Sequence, residues 1–295
     1  LVISGLDNLT NVNLFHDNWL SKAEVTDCAK LKELILSDCN LSENTCKLSN
    51  LPELITFDIQ GNNFSALNIG ELKKVKNLDL TNNKFTTTDN ITLSAAAEKL
   101  PLQGNENLQK VDLTPYKKLW IVNVNGYKRG QDVADHNNPL SFANINLNGL
   151  TDLESVRVNN NSLASVFDGN TVYPSLGTLE AEYNAINPIG MVNIAKSIES
   201  FDGLSLKLGY QTFAVNVKDN KTVDYSMVNG FFTNKGKKLS FEVTLGEDVV
   251  TDGYTYNNGI FTFSKAGTYK LSSESFNDIL NNSVNDYKSK PFTIE

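Results

Sequence analysis

One motif recurs along this chain at a nearly constant interval, and that recurrence leaves few folds open. Leu31-Lys-Glu-Leu34-Ile-Leu36-Ser-Asp-Cys39-Asn-Leu41 has the form L-x-x-L-x-L-x-x-(N/C)-x-L. It returns from Leu54 to Phe64, from Val75 to Phe85, from Leu153 to Leu163 and from Leu176 to Ile186. Weaker copies start at Leu9, Ala97 and Leu119, with a closing one expected at Ile198. The starts are spaced 22, 23, 21, 22, 22, 34, 23 and 22 residues. The one long interval, after Leu119, fits a repeat carrying an insertion near Tyr127 to Asn138.

Elementary physics explains the pattern. Side chains alternate along a strand, so positions 1, 4 and 6 turn toward a shared core. Each buried Leu or Ile contributes roughly 1.5–3 kcal/mol, but no single repeat can bury its face alone. The Asn at position 9 (Asn62, Asn83, Asn105, Asn161, Asn184) has donors and an acceptor to satisfy turn backbone groups. It reads as structural, and Cys39 in the same slot reads as a packed small residue.

The motif resembles the leucine-rich-repeat family over roughly residues 6–206. Second halves such as Phe64-Ser-Ala-Leu67-Asn-Ile69 are similar to repeats of bacterial, Bacteroidetes-type cell-surface proteins. The resemblance implies a curved solenoid with one short parallel strand per repeat on its concave face. Tyr127 for Asn and Ala97 for Leu depart from the pattern in single units.

Positions 3, 5, 7 and 8 then face outward on the concave side, where nine strands about 4.8 Å apart would span on the order of 40 Å. The candidate ligand-binding residues on that face are Asn77, Asp58, Asp79, Asn123, Asn125, Arg157, Asn159, Glu180, Glu182 and Tyr183. Asp58 and Asp79 occupy the same position on adjacent strands, as Glu180 and Asp202 are expected to do. Stacked like charges are unfavourable, so each pair awaits a Lys or Arg from a partner, or a cation.

The solenoid pattern stops near Leu206, which divides the chain into residues 1–206 and 207–295. In the second part, alternation places strands at Thr212–Val217, Val223–Val228, Leu239–Leu245, Gly253–Tyr256, Ile260–Ser264, Thr268–Ser272 and Pro291–Ile294. Seven short strands between turn signals read as an antiparallel sandwich. The stretch from Gly259 to Leu271 is similar to the late part of an immunoglobulin-like domain. That resemblance makes Tyr269 the tyrosine-corner residue and puts Leu271 where antibody domains carry a Cys. The fold class is therefore mainly β with minor α, a leucine-rich-repeat solenoid followed by an immunoglobulin-like sandwich.

Charge narrows the partner. The net charge of -8 argues against nucleic acid, whose phosphates require a basic surface. Residues 1–206 hold 24 acidic and 16 basic side chains, residues 207–295 ten of each, so the charge belongs to the solenoid. A protein with a basic patch, or a polar glycan, is the expected partner. No apolar run approaches the roughly 20 residues of a membrane span, and a monomer is expected.

Catalytic constellations are scarce. His16 beside Asp17 reads as a surface residue, and Asp135-His136-Asn137 as a polar loop without metal-ligand spacing. Three Cys (Cys28, Cys39, Cys46) lack CxxC spacing, and a Cys28–Cys46 bridge or three free thiols both fit. No cofactor is expected. The reading is a non-catalytic recognition or adhesion protein, secreted or at the cell surface, whose targeting segment is absent from this sequence. Its competitors are a carbohydrate-active enzyme using the concave carboxylates and a structural surface-layer component.

Overall fold

A computed structural model describes residues 1–127 and 142–295. The expected insertion therefore falls almost wholly outside the described residues, as do Asp135, His136 and Asn137. Nine parallel strands form one sheet, in chain order Asn11–Asn13, Glu33–Ile35, Thr56–Asp58, Asn77–Asp79, Lys99–Pro101, Ile121–Asn123, Ser155–Arg157, Thr178–Glu180 and Ser205–Lys207. Each of the first eight repeat starts places its strand two residues later, and the central residue of these strands (Val12, Leu34, Phe57, Leu78, Leu100, Val122, Val156, Leu179) is buried. The fold is mainly β, a parallel β-solenoid with few helices.

The closing strand corrects the sequence reading. It is Ser205–Lys207, in register with Thr178–Glu180, not a strand from a unit starting at Ile198. That segment instead belongs to the end of the helix Pro188–Ser197, which lengthens the last interval. Asn187 starts this helix by accepting a hydrogen bond from Gly190 N at 2.9 Å, and Pro188 takes the first helical position. The strand straddles the expected division at 206/207.

Position 9 does what its chemistry predicts. Asn83 Nδ2 donates to the carbonyls of Ile59, Leu80 and Thr81 at 2.9, 3.2 and 3.2 Å, and Oδ1 accepts from Phe64 N at 3.0 Å. Asn62, Asn105, Asn161 and Asn184 repeat the donor pattern one turn apart. Gln211 extends the ladder into the closing turn, donating to Ala181 O at 2.7 Å and accepting from Ile186 N at 3.1 Å. One longer amide serves where the motif search expected Asn. Cys39 holds the slot with weak Sγ–H contacts to the carbonyls of Ser37 and Leu14. All three thiols are free, and the Cys28–Cys46 bridge is not formed.

A second row of parallel strands, beyond the single strand per repeat that the resemblance implies, lies on the opposite side of the turns. It consists of three separate small sheets. Val2–Ser4, Ala23–Thr26 and Cys46–Ser49 form the first, Leu67–Asn68 and Ile91–Thr92 the second, Lys110–Asp112 and Asn144–Asn146 the third.

Beyond the solenoid, strands Gln211–Phe213, Tyr287–Ser289, Gly267–Ser272, Glu242–Leu245 and Asp248–Val249, with Phe292–Ile294 beside Gly267–Ser272, make a six-stranded, mostly antiparallel sheet. Thr222–Asp224, Ile260–Phe263 and Tyr254–Asn257 make a three-stranded antiparallel one. Rings join them: Phe263 of the smaller sheet lies 4.7 Å from Tyr269 and 5.6 Å from Phe292 of the larger. The expected strand Val223–Val228 is cut short. Asp224 Oδ1 accepts from Ser226 N and Oγ, and a helix runs over Ser226–Asn234, burying Val228 and Phe232 at i, i+4. Alternation through Val223, Tyr225 and Met227 concealed that helical pair. Tyr269 Oη donates to Lys265 O at 2.9 Å, four residues upstream.

Candidate functional site: the nine-stranded face

Positions 3 and 5 of each turn project from the long sheet, and on all but the first and last strands these side chains are partly shielded by their neighbours. Positions 7 and 8 behave differently from the sequence expectation. Ser37 and Thr81 are buried, not outward. Position 8 bends the chain: His16, Asp38, Gly61, Asn82, Gly104, Asn160, Tyr183 and Tyr210 all adopt positive φ. A turn of left-handed residues ends each strand, and Asn, Asp and Gly tolerate that conformation best.

Half of the candidate residues have a backbone duty. Asp58 Oδ1 accepts from Gln60 N at 2.8 Å, Asp79 Oδ1 from Thr81 N at 2.9 Å, and Asn123 Oδ1 from Asn125 N at 3.2 Å. These are local side-chain turns that close the strand end. Asn125 Oδ1 then accepts from Asn159 N at 2.8 Å, and Asn159 Oδ1 from Glu182 N at 2.7 Å, so position 7 stitches turn to turn. Asn77 Nδ2 reaches Thr56 Oγ1 at 3.4 Å. Sequence reading missed this second amide line because it assigned position 7 to solvent.

The charges separate into two zones. Toward the C-terminal end, Glu180 sits between Arg157 Nε at 3.4 Å and Lys207 Nζ at 3.0 Å. Lys207, not Asp202, stands beside Glu180 in register. The expected pair of stacked acids is thus an ion-paired triad, and Arg157 also donates to Ser155 Oγ at 3.0 Å. Lys99 Nζ lies 4.8 Å from the centre of the Trp120 ring, a cation–π contact.

The other zone is acidic. Asp58 and Asp79 stand directly beside each other in register, and among the described residues no basic side chain pairs with either. Burial pushes the Asp79 carboxyl above the usual carboxylate range; hydrogen bonds from Thr81 act downward and the nearby Asp58 charge acts upward. Glu33 and Asp38 continue the acidic strip toward the N-terminus, with Glu33 accepting from Asn11 Nδ2 at 2.6 Å and Asp38 lying 3.4 Å from His16 Nδ1. At the opposite end, Tyr183 and Tyr210 stack with centroids 4.5 Å apart.

The structure therefore places six of the ten candidate residues on the strands of this face and the other four in the turns that follow them, and does not gather them into one cluster. Asn77, Asp58 and Asp79 form the acidic zone, Asn123, Asn125 and Asn159 an amide strip, and Arg157, Glu180, Glu182 and Tyr183 the ion-paired end. Among the described residues no group of three His, Cys, Asp or Glu side chains is placed to hold a metal ion. No helix among them is long and apolar enough to cross a membrane.

No known family's sequence profile matches the chain, and no curated protein matches its sequence. Among solved structures, the chain is similar to the functional domain of InlJ from Listeria monocytogenes, which includes a cysteine ladder. The likeness is 16% in identity with a TM-score of 0.38, over 97% of this chain and 70% of that one. At that level it assigns neither a family nor a function.

Proposed function

We propose that this chain is a non-catalytic recognition or adhesion protein, secreted or at the cell surface, that binds a protein or polar glycan on its long-sheet face. In this reading residues 1–206 are a leucine-rich-repeat solenoid and residues 207–295 an immunoglobulin-like sandwich that spaces or docks it. The buried Tyr269, with its hydroxyl turned back onto Lys265 O, supports the second assignment. Asp58 and Asp79 carry the first. Two neighbouring carboxylates at the centre of a rigid sheet, with no cation paired to them among the described residues, favour an incoming Lys or Arg.

Each of the two has one oxygen held by backbone, so the carboxylate is oriented before a partner arrives. A protein with a basic patch fits that zone best. The amide strip and the Tyr183–Tyr210 stack offer the hydrogen bonds and ring face that a polar glycan would use.

The test is a screen of the full chain against host-protein and glycan arrays, repeated with Asp58→Asn/Asp79→Asn. The expected partner is basic, binds less tightly as salt rises, and loses about tenfold or more in affinity to the double variant. A clean negative on both arrays favours a structural surface component and overturns the reading. If the double variant keeps glycan binding but abolishes glycan turnover, the protein is a carbohydrate-active enzyme instead.

A further inference from the structure

We propose a second binding site on the opposite face of the solenoid, a gap in the strand row that takes an extended, basic peptide segment as an added strand. The gap lies between Cys46–Ser49 and Leu67–Asn68, each the last strand of its own small sheet. Among the described residues no backbone hydrogen bond joins the two. The linker between the two strands of one turn runs over residues 36–45, and in the next turn over 59–66; the row breaks between these two turns.

The break is a groove of about 1080 Å³, at the upper end of the range for ligand pockets. Its floor reaches Phe57 and Phe64 of the core, and Leu48 and Leu67 line its two flanks. Two sheet edges over an apolar floor are the elements of strand addition. An inserted peptide bonds through its backbone to the edges and turns alternate side chains down onto the floor.

The outward side chains of that peptide meet an acidic rim. Glu24, Glu43 and Glu71 border the groove, and among the described residues no basic side chain pairs with Glu43 or Glu71. Glu43 is held by Ser65, whose N and Oγ donate to it at 3.1 and 2.8 Å. Asp89 is already paired with Lys110 at 3.0 Å, and Lys47, the one cation on the rim, faces Glu24 in register. The remaining negative charge selects Lys or Arg at the outward positions. Neither Asp58 nor Asp79 lines this groove, so the site is independent of the long-sheet face.

The probe is a capped, fluorescein-labelled nonapeptide of alternating valine and lysine, titrated by polarisation against the full chain and followed by amide hydrogen exchange. The expected result is saturable binding, with new protection at residues 46–49 and 66–69. Glu24→Lys/Glu71→Lys should weaken it about tenfold, while Asp58→Asn/Asp79→Asn leaves it unchanged. A probe with N-methylated valines, which needs no folded variant, should not bind. No saturable binding, equal binding of the N-methylated or a valine–glutamate peptide, or protection confined to other segments would each overturn the site.

Discussion

The two faces of the solenoid share one apolar core but are held together in different ways. On the long-sheet side, six turns carry a position-9 amide (Asn62, Asn83, Asn105, Asn161, Asn184, Gln211) bonded to its own turn and the previous one, plus the Asn125 and Asn159 stitches. Nine strands stay in a single sheet. On the opposite side the row splits into three sheets. The contrast separates two jobs that a repeat sequence can perform. Apolar periodicity makes turns stack, whereas a buried amide that counts backbone carbonyls fixes how they stack. Where that amide acts, repeats of 21 to 23 residues remain in register; on the opposite side, which the ladder does not span, the row breaks and leaves a groove.

The largest effect should come from removing one ladder amide. Asn83→Ala leaves the buried Phe64 N unpaired and takes one of two donors from each of the Ile59, Leu80 and Thr81 carbonyls, and should cost about 2–3 kcal/mol in urea unfolding. Asn68→Ala on the opposite row removes a single exposed contact, from Gly70 N at 3.3 Å, and should cost less than about 0.5 kcal/mol. Equal losses would show that the two faces are held alike, and would remove the basis of the comparison.

Glycine gives the next step down. Gly61 has φ +71°, and a Cβ there would sit 1.9 Å from Asp38 Oδ1 of the preceding turn. Gly61→Ala should therefore destabilise by about 1–2 kcal/mol, read as a lower urea midpoint at unchanged slope. Gly70 on the opposite row has no positive φ, and its Cβ would meet Thr92 Cγ2 at 3.1 Å. Gly70→Ala should stay within about 0.5 kcal/mol of the parent protein. If Gly70→Ala proves the costlier change, the tighter packing lies on the broken face.

What the sequence made legible follows the same division. Leu, Ile and Asn at fixed intervals located the strands Glu33–Ile35, Thr56–Asp58, Asn77–Asp79, Ser155–Arg157 and Thr178–Glu180, because core and ladder both leave a one-residue signature. The opposite row leaves almost none: Cys46–Ser49 and Ala23–Thr26 share no motif, since no amide ladder constrains them. Gln211 escaped notice because the helix Pro188–Ser197 shifted its turn out of phase and because it is not Asn. That shift also exchanged Asp202 for Lys207 beside Glu180 and so reversed the sign of a pair on the candidate site. Asp58 and Asp79 were readable as neighbours because nothing intervenes in their stretch of repeats. Which acids are neutralised depends on cross-turn contacts such as Arg157–Glu180, which spacing alone does not encode.

The smallest effect compares one acid from each face in the same local turn. Asp79 Oδ1 accepts from Thr81 N, and Asp112 Oδ1 from Thr114 N at 3.1 Å, yet their carboxyls shift in opposite directions. At Asp79 burial dominates and raises it, with Asp58 alongside. At Asp112 burial also acts upward, but the hydrogen bonds of Thr114 and Asn146 and the Lys110 charge outweigh it and lower it. A raised carboxyl binds its proton more tightly in the folded state, so its contribution falls as pH rises from the ordinary carboxylate range through the folded value. A lowered one contributes fully above that range and is lost as pH falls through it. At pH 7 Asp79→Asn should therefore stabilise the protein slightly and Asp112→Asn destabilise it slightly, each by less than about 1 kcal/mol for a partly solvated group. Both differences should shrink as pH drops from 7 toward 3, which melting temperatures of the two variants would show. The same sign for both at pH 7 would mean that Asp58 and Asp79 are not an unneutralised pair, and the acidic zone would lose its claim on a basic partner.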